Sequence, residues 1–212
     1  MSDEPAGSGD PRALVVRLRA VIESAYGRGN VTARAGLISG RLERESAMAV
    51  RRLNHAVLYV QDLAASVDFY IDALGFEVAM EIPGRAAFLR AQGTANDHDL
   101  GLFSVPDGQL PDGSYLGLYH LAWEVGTLAE LAAVRERLAN RNALVGASDH
   151  RVSKSLYAKD PSGIEFEVMW RVPAEDWAQE TADGSMIRPL DLEAEIARWG
   201  DRITGAAAGS VT

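Results

Sequence analysis

The feature that most constrains this chain is a repeat. Leu53-x-His55 opens one apolar run, and Leu118-x-His120 opens another 65 positions later. Behind RLNHAVLYV come a helical stripe (Val67, Phe69, Tyr70, Ala73 and Leu74, within Ala64 to Leu74 and ended by Gly75) and three short runs, FEVAMEI, RAAFLRAQ and HDLGLFSV. Behind LYHLAWEV come a helical stretch from Leu128 to Leu138 and the runs ALVGAS, SKSLYAK and GIEFEVMW, with a turn at Asp160-Pro161-Ser162-Gly163. Both halves read as βαβββ, separated by the loop PDGQLPDGS. A histidine on an apolar strand is ordinarily a hydrogen-bonded core residue, because a buried imidazole is costly without partners. Core filling gives no reason for one to recur at the same place in both halves, so His55 and His120 are candidate ligands.

Composition narrows what they could bind. With no cysteine among 212 residues, disulfides, thiolate nucleophiles, zinc fingers and cysteine-ligated clusters are excluded, leaving His, Asp and Glu as metal donors. There are four histidines, at 55, 98, 120 and 150. A 47% hydrophobic and 24% charged chain is ordinary for a soluble globular protein. No apolar run reaches 18 residues and MSDEPAGSGD carries no apolar stretch, so a cytoplasmic protein with neither a membrane span nor a secretory signal is expected.

The charge is uneven. Residues 11–52 hold nine arginines against three glutamates, a balance of +6, whereas residues 53–212 carry −12. Nucleic-acid binding by this arm is disfavoured, since no lysines or aromatics interleave the arginines and the acidic body would repel phosphate. Docking onto an acidic surface of the same chain or of a second copy is expected instead, hence a homo-oligomer. The organisation read from the sequence is a disordered tail over 1–10, a helical N-terminal extension over 11–50 built on Leu14, Leu18, Val21, Ile22 and Ala25, and a paired domain over 51–171 with units 51–105 and 116–171. A C-terminal tail, 172–212, follows: VPAEDWAQETADG reads as an exposed loop, Asp191-LEAEIARW-Gly200 as a capped helix and Thr204–Thr212 as a frayed end.

Two βαβββ units, each opening on a strand histidine, with DPSG and a strand glutamate closing the second, resemble the vicinal oxygen chelate superfamily over about residues 51–171. The resemblance implies an α+β fold of curved mixed sheets around one divalent metal, bound by His55, His120 and Glu167. Glu165 shares a strand face with Glu167 and is the competing carboxylate. The family's isomerases and lyases commonly take a fourth side-chain ligand from the last strand of the first unit; subtracting 65 from 167 points to Leu102, and Gly101-Leu102-Phe103 contains no ligand. Two histidines and one carboxylate with open positions suit non-haem Fe(II) oxygen chemistry.

Within the family, His98, His150 and Tyr157 match the small extradiol catechol dioxygenases of the single-domain type. That match implies Fe(II), with Mn(II) as the alternative metal, a catechol and O2 as substrates, and a muconic semialdehyde as product. His98 would be the acid–base catalyst on oxygen, while His150 and Tyr157 would hydrogen-bond the substrate. Arg151 and Lys154 flank that segment and read as solvated surface charge rather than as partners of a substrate carboxylate. Two other classes use the same frame: a metal-dependent isomerase or lyase of the glyoxalase kind, and a metal-free protein that sequesters an antibiotic.

Overall fold

The computed structural model of the chain describes residue 50, residues 52–110 and residues 116–204. The 1–10 tail and the expected helical extension up to residue 49 lie outside the described residues. The first unit runs β1 (Ala56–Val60), α1 (Leu63–Leu74), β2 (Glu77–Ile82), β3 (Ala86–Arg90) and β4 (Leu100–Ser104). The second runs β5 (Leu121–Glu124), α2 (Leu128–Asn140), β6 (Leu144–Asp149), β7 (Ser153–Lys159) and β8 (Glu165–Arg171). Each unit closes a four-stranded mixed sheet, in the orders β1-β4-β3-β2 and β5-β8-β7-β6, with the first and last strands of each unit paired in parallel. The expected βαβββ order therefore holds in both halves.

Local chemistry sets the helix ends. The Asp62 side chain accepts from the Ala65 N–H at the start of α1, and Gly75 ends it at φ 75°, a left-handed conformation costly for any residue with a Cβ. Thr127 and Glu130 form a reciprocal capping box on α2.

Strand alternation divides each sheet into two faces. Leu58, Val60, Leu89, Leu100 and Leu102 are buried on one face of the first sheet, as are Leu156, Ala158, Phe166, Val168 and Trp170 on one face of the second. These faces share a single core with the two helices. Aromatic rings cross between the halves, Phe69 against Phe166 at 5.9 Å and Phe76 against Trp123 at 5.1 Å between centroids. Tyr70 on α1 also donates to Asp160 in the DPSG turn, at 3.2 Å. The opposite face of the first sheet is open, with Val57 51% and Tyr59 60% exposed.

Three expectations change. LYHLAWEV is not a strand throughout: Leu118 and Tyr119 are exposed, pairing with β8 begins at Leu121, and His120 lies just before β5. β8 begins at Glu165, opposite His120 in the parallel register, so Leu118 and Tyr119 lie beyond the start of β8 and have no strand beside them to pair with. The stretch after Val172 is exposed at most positions, as expected, but it is not a loop throughout. It forms a short 3-10 turn (Ala174–Asp176) and α3 (Trp177–Glu180), which buries Glu180, and leads to α4 (Leu192–Trp199), capped by Asp191. Thr204 is itself buried, its N–H donating to the Gly126 carbonyl at 3.0 Å, so it is no part of a frayed end; residues 205–212 lie outside the described residues. Among the described residues no helix is long and apolar enough to cross a membrane.

Candidate metal and substrate site

Register decides which side chains can meet. In the second sheet Ala122 pairs with Glu167, and Glu167 with Tyr157, so His120, Glu167 and Tyr157 project from one face. His120 Nε2 stands 3.1 Å from Glu167 Oε2. The His120 and Tyr157 rings are 5.7 Å apart, and the Tyr157 hydroxyl is hydrogen-bonded to His150 Nε2 at 2.6 Å. Burial, then the charge of Glu167, pushes the Tyr157 phenol above its ordinary value, so it stays protonated and able to donate at neutral pH.

The first sheet brings the other two histidines together. His55, at the mouth of β1, and His98, before β4, lie with ring centroids 4.5 Å apart, and Phe88 meets His98 edge-on at 5.1 Å. His98 Nδ1 lies 2.8 Å from Asp97 Oδ2, a hydrogen bond that holds the Asp97 carboxyl below its usual range. The six expected residues thus form two groups: His120, Glu167, Tyr157 and His150 on the second sheet, and His55 with His98 on the first. Among the described residues, no three His, Asp or Glu side chains converge on one point. Glu165 shares the strand face of Glu167, two residues nearer the turn; its hydrogen bond and charge raise the exposed Tyr119 phenol, and its charge also adds to the rise of Tyr157.

The fourth-ligand position needs correction. Leu102 pairs with Leu58 and is fully buried on the core face, whereas the counterpart of Glu167 is Gly101, which pairs with Val57 as Glu167 pairs with Ala122. Subtracting 65 fails because the net spacing from the histidine to this position of the last strand is 46 in the first half and 47 in the second, and a one-residue slip moves a side chain to the opposite face. A Cβ at buried Gly101 would lie in van der Waals contact with Val57, Phe103 and Phe88, at 3.4 to 3.7 Å, and the glycine itself supplies no donor.

The Glyoxalase/Bleomycin resistance protein/Dioxygenase superfamily matches residues 52–168. The chain belongs to this superfamily. It is 31% identical over 153 residues to the catechol-2,3-dioxygenase of Bacillus subtilis (strain 168), a match covering 70% of the chain and 52% of that protein. It is 35% identical over 120 residues to biphenyl-2,3-diol 1,2-dioxygenase 3 of Rhodococcus globerulus, covering 55% of the chain and 62% of the relative. The chain thus spans between half and two thirds of these relatives. The crystal structure of a glyoxylase/bleomycin resistance protein/dioxygenase domain from Frankia sp. EAN1pec superposes with a TM-score of 0.51 at 21% identity, covering 62% of the chain and 99% of that domain.

Superfamily membership directs attention to the His120–Glu167 pair as metal donors. At 3.1 Å from one another, His120 Nε2 and Glu167 Oε2 would both be able to donate to one ion. His120 Nδ1 is sealed from solvent with no partner, so Nε2 is the nitrogen this ring presents. Neutral imidazole and carboxylate suit divalent iron or manganese. These two donors fit, and His55 offers a third of the right type on the neighbouring unit.

Sequence reasoning missed two supports of the site. Arg151 and Lys154 are not surface charges: Lys154 is fully buried, with Nζ 2.6 Å from Asp149 and 3.4 Å from Glu195, and Arg151 reaches Asp149 and the Glu180 carbonyl. Alternation in SKSLYAK carried the signal, since Lys154 shares a face with Leu156 and Ala158. The second support is a set of amide side chains behind His55, contributed by Asn54 and Asn96.

Proposed function

We propose that the protein is an extradiol ring-cleaving dioxygenase that inserts both atoms of O2 into a catechol and releases a muconic semialdehyde. The observation that carries this reading is the second-sheet face, where a carboxylate–imidazole pair with ligand spacing lies beside a protonated phenol already bonded to a histidine. Similarity to two ring-cleaving dioxygenases supports it. Gly101 favours it over a glyoxalase-like isomerase, because the place of a fourth side-chain ligand has no side chain. The donor pair favours it over a metal-free sequestering protein.

His55, His120 and Glu167 would hold Fe(II), which when bound supplies a common centre for the catechol oxygens and dioxygen and so removes the entropic cost of their encounter. Everything else falls to the chain. Tyr157 donates its phenolic proton toward a substrate oxygen, and His150 fixes that hydroxyl from the far side. His98, with Nδ1–H directed to Asp97, keeps Nε2 as the basic atom, so it can take a proton from the substrate and return it during ring opening. Phe88 and Val57, on the same face as His55, offer an apolar wall to an aromatic ring.

Anaerobic Fe(II) reconstitution followed by a panel of catechols, with oxygen uptake and the yellow product measured, tests the reading. His98→Gln is expected to keep iron and catechol binding while turnover falls by about 10²–10⁴. Full turnover in that variant would remove His98 from the site, and loss of iron would make it a ligand and favour the isomerase.

A further inference from the structure

Behind His55 runs a chain of side chains whose hydrogen bonds have only one consistent direction. Asp99 is acceptor-only as a carboxylate, and its Oδ1 accepts from Asn96 Nδ2 at 2.6 Å. The same Nδ2 donates to the Asn54 carbonyl at 2.9 Å. That orients the Asn96 amide with its oxygen toward Arg52, a donor-only guanidinium, which donates to it. Asn96 Oδ1 also accepts from Asn54 Nδ2 at 3.2 Å. Asn54 in turn must present its own Oδ1 to His55, whose Nδ1 lies 2.9 Å away. An amide oxygen can only accept, so the proton of that bond sits on Nδ1.

Fixed charges terminate both sides of Asn96, so its amide cannot flip without setting N–H against the guanidinium and oxygen against the carboxylate, and a flip of Asn54 would set its oxygen against Asn96 Oδ1. Asn96 is 8% exposed, and Asp99 is tied further by the Ala91 N–H at 2.9 Å and the Thr94 hydroxyl at 3.2 Å.

We infer that Asp99 and Arg52, acting through Asn96 and Asn54, lock His55 as the Nδ1–H tautomer and so leave its Nε2 lone pair as a preset metal donor. Asn54 and Asn96 are positioning residues: they touch neither metal nor substrate. An unconstrained neutral imidazole in water prefers its proton on Nε2, the atom a metal must use, so an unsupported His55 would have to change tautomer before ligation. A ligating histidine held by a partner on its other nitrogen is a general requirement of metal sites, worth about 10–100-fold in affinity. The metal part of this inference rests on the proposed function; the tautomer does not.

The experiment reads the tautomer directly, by 15N-labelled histidine NMR on the full-length, chelator-treated protein at a pH where its imidazoles are neutral. His55 is assigned by the resonance lost in His55→Gln. The wild-type protein is expected to show His55 protonated on Nδ1. Asn54→Ala is expected to move the proton to Nε2 and weaken Mn(II) and anaerobic Fe(II) binding by about 10–100-fold. Asn54→Asp, which still accepts at that position, should restore both. A wild-type His55 protonated on Nε2 overturns the inference without recourse to any variant, as does an Asn54→Ala spectrum identical to wild type. Nδ1 protonation without metal binding or catechol turnover would uphold the lock and overturn the ring-cleavage reading instead.

Discussion

Glu167 and Glu165 stand two residues apart on one strand face, and their neighbours separate them. Glu167 faces His120 Nε2 at 3.1 Å, while Glu165 accepts from the Tyr119 phenol at the rim. Glu167→Gln is therefore expected to lose stable Fe(II) binding, exceeding the about 10–100-fold cost of an outer-sphere change, and Glu165→Gln to retain it. Metal content after anaerobic reconstitution measures both, and full occupancy in Glu167→Gln would transfer the ligand role to Glu165. The six candidate residues were named from the repeat and from the family resemblance, and the structure brings four of them together on the second sheet and two on the first. Asn54 and Asn96 were not legible in that way. Asparagine is common in loops, and only their meeting across 42 positions, between the approach to β1 and the loop before β4, makes them a relay.

Among the elements, the β6–β7 hairpin and the C-terminal segment share a buried set of charges. Lys154 pairs with Asp149 and lies 3.7 Å from Glu180 and 3.4 Å from Glu195, and Arg198 also binds Glu180. Asp149 and Arg151 flank His150, and Arg151 has φ 70°, so the same network holds the turn that delivers His150 to Tyr157. Removing one member strands buried charge: Lys154→Met is expected to cost about 3–5 kcal/mol by urea unfolding. Burial alone would raise the Asp149 carboxyl, but the Lys154 hydrogen bond, the Arg151 N–H and both positive charges hold it below its ordinary 3.8. A lowered folded value means that this stabilisation is complete above the unfolded value and is lost as pH falls through the folded one. The gap in melting temperature between wild type and Lys154→Met should accordingly close as pH falls below about 4. A gap unchanged in acid would show that Asp149 does not carry it.

At the scale of the whole molecule, the two halves share one core instead of closing one each. Phe166, on β8 of the second unit, is 2% exposed and packs on Phe69 and Tyr70 of α1 in the first, at 5.9 and 6.0 Å. Phe166→Ala is expected to cost about 3–5 kcal/mol and to lower a single transition, both sheets melting together by near- and far-ultraviolet circular dichroism. Two separated transitions would mean that the halves are independent. The shared core also keeps the face bearing Glu167 in a set relation to the unit that carries His55 and His98.

By itself the sequence determined the βαβββ repeat, the strand faces and the residue types of the candidate site, because period-2 alternation, caps and turns act over a few residues and are written locally. Only the tertiary structure decided three things. Gly101, not Leu102, is the first-sheet counterpart of Glu167, since register depends on loop lengths and pairing partners. Lys154 and Arg151 are buried, since their partners Glu180 and Glu195 arrive from a segment about 25 to 40 residues further along the chain. The four histidines divide into two groups, His55 with His98 and His120 with His150 through Tyr157, because imidazole contacts form between strands brought together by hydrogen bonding across each sheet, a long-range event that no local pattern records.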